Sequence, residues 1–220
     1  MKAGNIEYKQ ASDLPNKLPM LISTSMLILP GTYVPIIIEQ KKYLKLIEDT
    51  LKGNKLIGVL QLKPEGYETY DMGCIARITS FSELGNGKTT ISLEGVCRFY
   101  RLNKIDTKST YEIFSIKPIL EDFDRTKKVT DLAPFINSYL NNNGVNPNLN
   151  SKTFKAELTQ FTNTPFDILL NSLCINAGFN TEEQQLLLEA DNIDDRAQLF
   201  LALSERSLMK KQKHKTYILH

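Results

Sequence analysis

Hydrophobic and polar positions follow two different periods along this chain, and the change falls near residue 125. Before it, short β-branched and aromatic runs are broken by Gly, Asn and Pro, a texture that predicts strands joined by turns. Residues 26–29 read as a strand stopped by the turn pair Pro30-Gly31. Residues 34–38 read as a second strand, whose unbroken apolar character predicts burial on both faces. Tyr43, Leu44, Ile47 and Leu51 then fall on one helical face, with Gly53-Asn54 as the stop. Further strand-like runs cover 56–62, 73–81, 89–93, 96–102 and 111–116. Along 73–81 both faces are mostly apolar or long-chained, which places that strand in a closed or nearly closed sheet. Six or seven short strands with one intervening helix predict a small β-barrel rather than a βαβ sheet.

Past residue 125 the period becomes helical. Leu132, Phe135, Ile136, Tyr139 and Leu140 form one stripe, and Phe154, Leu158 and Phe161 continue it at spacings of four and three. Residues 141–150, rich in Asn, read as a loop. Thr164-Pro165 predicts an N-cap followed by Pro at the first helical position, for a helix carrying Phe166, Leu169, Leu170 and Leu173 and stopped by Gly178. Thr181 with Gln184 reads as a capping box before the run Leu186, Leu187, Leu188. Asn192 with Asp195 caps a last helix whose apolar face is Ile193, Ala197, Phe200, Leu201 and Leu208. The expected fold class is therefore α+β, a small β-barrel followed by an all-helical C-terminal bundle. Residues 1–17 read as a polar extension, 18–125 as the barrel, 126–213 as the bundle and 214–220 as a tail.

Composition narrows the function. The chain has 220 residues, 41% hydrophobic and 24% charged, with a formal net charge of +2. Lys210, Lys211, Lys213 and Lys215 account for more than that excess, so the remainder is net negative. A near-neutral body with a short basic end lacks the basic stripe that neutralises several phosphates. The N-terminal stretch is polar with acidic residues, unlike a secretory or transit peptide, and the run at 34–38 is too short to cross a bilayer. Three cysteines with no C-x-x-C pair point to reduced thiols and a cytoplasmic location.

The candidate chemistry thins out on inspection. Gly85-Asn86-Gly87-Lys88-Thr89 ends like a phosphate loop, but Ser82 stands where the leading glycine belongs, and a strand pattern follows where a helix is needed. Asn-Gly between two strand runs predicts a hairpin with a type I′ turn. His214 and His220 are the only histidines, both in the tail, and no cysteine–histidine arrangement has zinc spacing. No serine sits in a recognisable nucleophile turn. No catalytic residue, metal ligand or cofactor is therefore assigned. Glu39, Arg77, Glu94 and Arg98 interrupt apolar strands, and each needs a partner if buried. The expected arrangement is a structural ion pair of Glu39 with Arg98 or Arg77, against the alternative of a polar handle for a bound peptide.

Several stretches, in order, resemble the N-terminal substrate-recognition domain of the Lon (La) ATP-dependent proteases. They are Leu18-Pro19, Leu27-Ile28-Leu29-Pro30-Gly31, Val34-Pro35, Glu39, Tyr43 and Ile57-Gly58. More specific are Gly73-Cys74-Ile75-Ala76-Arg77-Ile78, Phe81-Ser82-Glu83 and Gly95-Val96-Cys97-Arg98-Phe99. The helical half adds Glu183 to Ala190 and Asp195-Arg196-Ala197, so the resemblance covers about residues 18 to 209. It implies a PUA-like barrel followed by a helical bundle, and a role in contacting unfolded or tagged proteins. Two stretches depart from the family: Leu21-Ile22-Ser23 stands for Phe-Pro-Leu, and Lys42 stands for an arginine before Tyr43, losing the bidentate fork. The chain ends where a full-length Lon would continue into ATPase and protease modules, so it is similar to stand-alone bacterial Lon-domain proteins.

The function expected is a non-catalytic polypeptide-binding module without ATPase or protease modules. Its partners would be unfolded or flexible polypeptides, or a separate protease or chaperone, with no membrane and no nucleic acid. The contact residues expected are Tyr43 and Ile47 on the first helix and Phe166 in the bundle. Pro30, Gly31, Pro35, Glu39, Gly73, Arg77, Gly95 and Arg98 are expected as structural motif positions. The alternative is an RNA-contacting PUA-like protein, for which Arg98, Phe99, Tyr100 and Arg101 would be the nearest basic and aromatic stretch. Their alternation across two faces argues against a single platform.

Overall fold

The computed structural model describes residues 2, 3, 5–85, 87–121 and 164–217, with side chains from 3 to 210 within those ranges. Contacts divide the chain into two compact units, Met1–Glu121 and Asp122–His220. The predicted stripes at 132–140 and 154–161, the loop at 141–150 and Asn86 at the hairpin tip lie outside the described residues.

The first unit carries eight strands and one α-helix: β1 (Lys2–Ala3), β2 (Ile6–Glu7), β3 (Lys17–Ser23), β4 (Tyr33–Ile38), α1 (Lys41–Leu51), β5 (Leu56–Gln61), β6 (Met72–Leu84), β7 (Lys88–Ile105) and β8 (Ile113–Ile119). The six-stranded sheet runs β4-β7-β6-β5-β3-β8, and β7 also pairs with β8. It is mixed, because β3 and β5 are parallel while the other pairs are antiparallel. The pairings of β7, β6, β5, β3 and β8 return on themselves, and β4 lies outside that ring, bonded only to the first half of β7. Leu18, Met20, Leu60, Ile75, Phe99 and Ile116 share one buried cluster. Gly58 and Gly73 make room for the Phe99 ring. A Cβ on Gly73 would stand 2.7 Å from Phe99 Cζ and 2.4 Å from the Val59 carbonyl.

Several local expectations change once the strands are paired. Residues 26–29 form no strand: Leu27, Ile28 and Leu29 are buried, yet the segment joins no ladder. Burial against a neighbour yields the same apolar run as a ladder position. The turn after it does form. Thr32 N donates to Leu29 O at 3.1 Å, with Pro30 and a left-handed Gly31 (φ 75°) between them, a type II arrangement. The runs at 89–93 and 96–102 are one continuous strand through Gly95. β4 is not buried on both faces, since Tyr33, Pro35 and Ile37 are exposed. The N-terminal stretch is more than a polar extension, because β1 and β2 pair as a hairpin and Ala3, Tyr8 and Leu14 enter the core.

The β6–β7 hairpin forms with Leu84 opposite Lys88, so its loop spans three residues instead of the two of a type I′ turn, with Gly87 left-handed at φ 74°. α1 buries Tyr43, Leu46 and Ile47, while Leu44 and Leu51 are only half-buried. The left-handed residue after it is Lys55 (φ 63°), not Gly53 or Asn54.

The second unit shows α2 (Phe166–Asn176), α3 (Thr181–Glu189) and α4 (Ile193–Tyr217). Each predicted start shifts by a residue or keeps its cap. Pro165 is the N-cap of α2 rather than its first turn, and Gly178 (φ 71°) follows its end. The capping box of α3 is Asn180 with Glu183, not Thr181 with Gln184; Glu183 N donates to Asn180 Oδ1 at 2.9 Å. Asn192 does cap α4, accepting from the amides of Asp194 and Asp195. α4 runs on to Tyr217, past the expected tail boundary at 213/214. Arg196, fully buried, ties these helices together by donating to Leu187 O and Asn171 Oδ1, both at 2.9 Å.

Candidate functional site

The three expected contact residues are packing residues. Tyr43 is buried with its hydroxyl donating to Ile22 O at 2.9 Å and accepting from Ile22 N, which locks α1 to β3. Ile47 and Phe166 are buried too. An amphipathic stripe predicts which side of a helix is apolar, and here that side faces the protein itself.

The charged strand residues also find partners other than those expected. Glu39 is exposed and pairs with Lys88 at 2.6 Å, reaching neither Arg77 nor Arg98. Arg98 lies 2.5 Å through Nε from Glu121 Oε1, both side chains almost wholly buried, an ion contact without the alignment of a hydrogen bond. Arg77 donates through Nη1 to Tyr8 Oη at 3.2 Å and Asn54 O at 3.1 Å. The basic and aromatic stretch of the RNA alternative is likewise engaged: Arg98 and Phe99 are buried and Arg101 pairs with Asp71.

The thiols are inert by position. Cys74, Cys97 and Cys174 are buried and in no disulfide. Burial, then the nearby Glu121 charge, pushes Cys97 up to about 12, and burial pushes Cys174 up to about 12. The folded state thus holds thiol protons that the unfolded chain releases from its ordinary value of 9.0 upward, so stability falls as pH rises from about 9 towards 12. In native protein at pH 8 a disulfide reagent such as Ellman's is expected to titrate none of the three, and denaturant to release all of them. Rapid native labelling of Cys97 would contradict this assignment.

Two surface features remain. The first is the side of β4 with no strand partner among the described residues. Gly95 N donates to Thr32 O at 2.9 Å, so by antiparallel alternation Thr32, Val34, Ile36 and Ile38 bond inward and Tyr33, Pro35 and Ile37 turn their backbone groups outward. Pro35 lacks only an N–H the ladder does not use. Tyr33 and Ile37 are 62% and 59% exposed, beside the polar rows Thr90, Ser92 and Ser80, Ser82. The Glu94 carboxylate beside its hydroxyl raises the Tyr33 phenol to about 12. A proline inside an apolar run was the sequence signal for this edge.

The second is a cavity of about 480 Å³ in the first unit, lined among others by Leu14, Pro15, Asn54, Lys55 and Arg77. Among the described residues no group of His, Cys, Asp and Glu is placed to hold a metal, and no helix is long and apolar enough to cross a membrane.

Among the described residues the fold is a mixed sheet with helices, with a strand edge at β4 and a cation-lined cavity in the first unit. The family model of the ATP-dependent protease La (LON) substrate-binding domain matches residues 17–206, and the chain belongs to that family. It is 28% identical over 203 residues to the Lon protease of Parabacteroides distasonis, covering 86% of this chain and 24% of that one. To the Lon protease of Dictyoglomus thermophilum it is 23% identical over 210 residues, covering 87% and 24%. The chain thus spans about a quarter of the length of these relatives. Its fold is like that of the N-terminal domain of Mycobacterium avium complex Lon protease (TM-score 0.61, 14% identity, 86% of this chain and 98% of that one). The Lon N-terminal domain protein from Xanthomonas campestris is similar (TM-score 0.62, 16% identity, 84% and 97%).

Proposed function

We propose that this chain is a non-catalytic polypeptide-recognition module that works in the cytoplasm on unfolded or flexible proteins. The match to a substrate-binding domain over residues 17–206 carries this reading. In it, the ring of β3, β5, β6, β7 and β8 is a PUA-like barrel, the second unit is a helical bundle, and chemistry on the bound chain belongs to a separate protease or chaperone. The geometry supports strand addition along β4, where Tyr33 and Ile37 turn N–H and C=O groups outward, Pro35 offers only its C=O, and exposed apolar side chains lie alongside. An extended peptide would gain main-chain bonds from that edge and apolar contact from Tyr33 and Ile37.

The test is capture of chemically denatured model proteins by immobilised chain, against the same proteins folded. Denatured clients are expected to be enriched, and Ile37→Lys to weaken capture about 5-fold or more at unchanged melting temperature, the effect of losing a contact worth over 1 kcal/mol. Equal retention of folded and denatured proteins would sink the reading. Retention of RNA with a steep salt dependence would favour the nucleic-acid alternative instead.

A further inference from the structure

We propose that the cavity between the N-terminal hairpin and the α1–β5 connection is a subsite for the C-terminal carboxylate of a bound polypeptide, with an apolar last side chain beside it. The inference rests on the polypeptide-recognition reading above and names one chemical feature of the substrate. The cavity, about 480 Å³, is lined by Ile6, Leu14, Pro15 and Leu56 on its apolar part and by Lys55 and Arg77 as its cations. That volume lies in the range of small-ligand sites, roughly 300–1,000 Å³.

The charge balance selects the ligand. Arg77 spends only Nη1 inside the protein, on two neutral oxygens, Tyr8 Oη and Asn54 O, and forms no ion pair. Its other guanidinium N–H groups have no partner among the described residues, and a guanidinium with two N–H groups side by side matches a carboxylate. Lys55 also has no partner among the described residues. It is set at the cavity by an unfavourable left-handed backbone (φ 63°), fixed where Lys55 N donates to Thr50 O and Ile78 N donates to Lys55 O.

The one acid in the lining, Asp13, is committed elsewhere. Its Oδ2 accepts from Lys9 N at 2.7 Å and Gln10 N at 3.1 Å, and those backbone bonds hold its carboxyl below the ordinary value. The lining is thus net +1, suited to a monoanion, and its negative member disfavours a phosphate dianion. Leu14 and Leu56, both buried, supply an apolar wall next to the charge. A chain terminus joins a carboxylate to an apolar side chain at that short spacing.

The test is fluorescence anisotropy of the whole chain with a labelled flexible peptide ending in leucine, made as the free acid and as the C-terminal amide. The acid is expected to bind about tenfold tighter, as for the loss of one charge-assisted contact. Arg77→Gln should bring the acid down to the amide and leave the amide unchanged. Because the acid-to-amide ratio is read within one protein, a general loss of packing does not mimic the effect. Should Arg77→Gln fail to fold, Lys55→Gln, on an exposed side chain, is expected to reduce the ratio about threefold.

Equal binding of acid and amide by the unmodified chain overturns the subsite while leaving polypeptide recognition standing. Failure of both peptides and of denatured proteins alike overturns both. A ratio unchanged in Arg77→Gln or Lys55→Gln overturns the assignment of the cations. Displacement of the acid peptide by inorganic phosphate as readily as by N-acetyl-leucine marks a general anion site and overturns it too.

Discussion

Gly95→Ala is expected to cost about 3 kcal/mol or more, a large value for one methyl group. An added Cβ would stand 2.1 Å from Leu29 O and 2.8 Å from Leu29 C, both backbone atoms. Neither side can yield cheaply. Leu29 O already accepts from Thr32 N at 3.1 Å and Thr32 Oγ1 at 2.7 Å. Gly95 itself donates to Thr32 O and accepts from Gly31 N at 2.8 Å. Relieving the clash means pulling the Pro30-Gly31 turn off the middle of β7, at the point where that strand passes from β4 to β8 as its neighbour. For a unit of about 120 residues the melting temperature should fall by roughly 10 °C or more. Gly85→Ala, which meets nothing within 4 Å, is the control and should shift it little. A Gly95→Ala chain melting within a degree or two of the parent would mean that the close approach is not a constraint.

The second large effect lies three residues further along β7. Arg98→Met is expected to destabilise by about 3–5 kcal/mol, because it removes a buried guanidinium from beside the buried Glu121 carboxylate. Arg98 and Glu121 have side chains only 3% and 6% exposed, so water cannot replace the lost partner. The double change Arg98→Met with Glu121→Leu should recover most of the loss, since a buried pair exchanged for apolar groups of similar volume is often near neutral. Denaturant melts of the two single variants and the double variant separate the terms. If the double variant is as unstable as Arg98→Met alone, the guanidinium matters for its contact with Met72 Sδ and its packing more than for the charge pair.

Both effects sit in stretches where the sequence showed an anomaly without its reason. Gly95 lay in the break between two strand-like runs and Arg98 was a charge inside the second, and the family resemblance marked both. Their causes are Leu29 O and Glu121, residues 66 positions before Gly95 and 23 after Arg98. Nothing in local pattern encodes such distances. The same limit explains Glu39, whose real partner Lys88 lies 49 residues on. It also explains Tyr43, Ile47 and Phe166, whose apolar stripe positions are buried against the protein itself.

What the sequence determined by itself is everything set within a few residues. The Pro30-Gly31 turn follows from a fixed φ beside a residue free to take a positive one, and the glycine-rich hairpin at 85–87 has the same kind of cause. The starts of α3 and α4 follow from Asn180 and Asn192, whose side chains satisfy the helix's own orphan amides, and the end of α2 from the left-handed Gly178. Tertiary structure alone decided that β7 is the strand β4 pairs with, that residues 26–29 pack without pairing, and that Lys55 and Arg77 meet at one cavity. Each of those depends on which distant backbone arrives alongside, and an apolar residue is equally satisfied by any neighbour that excludes water.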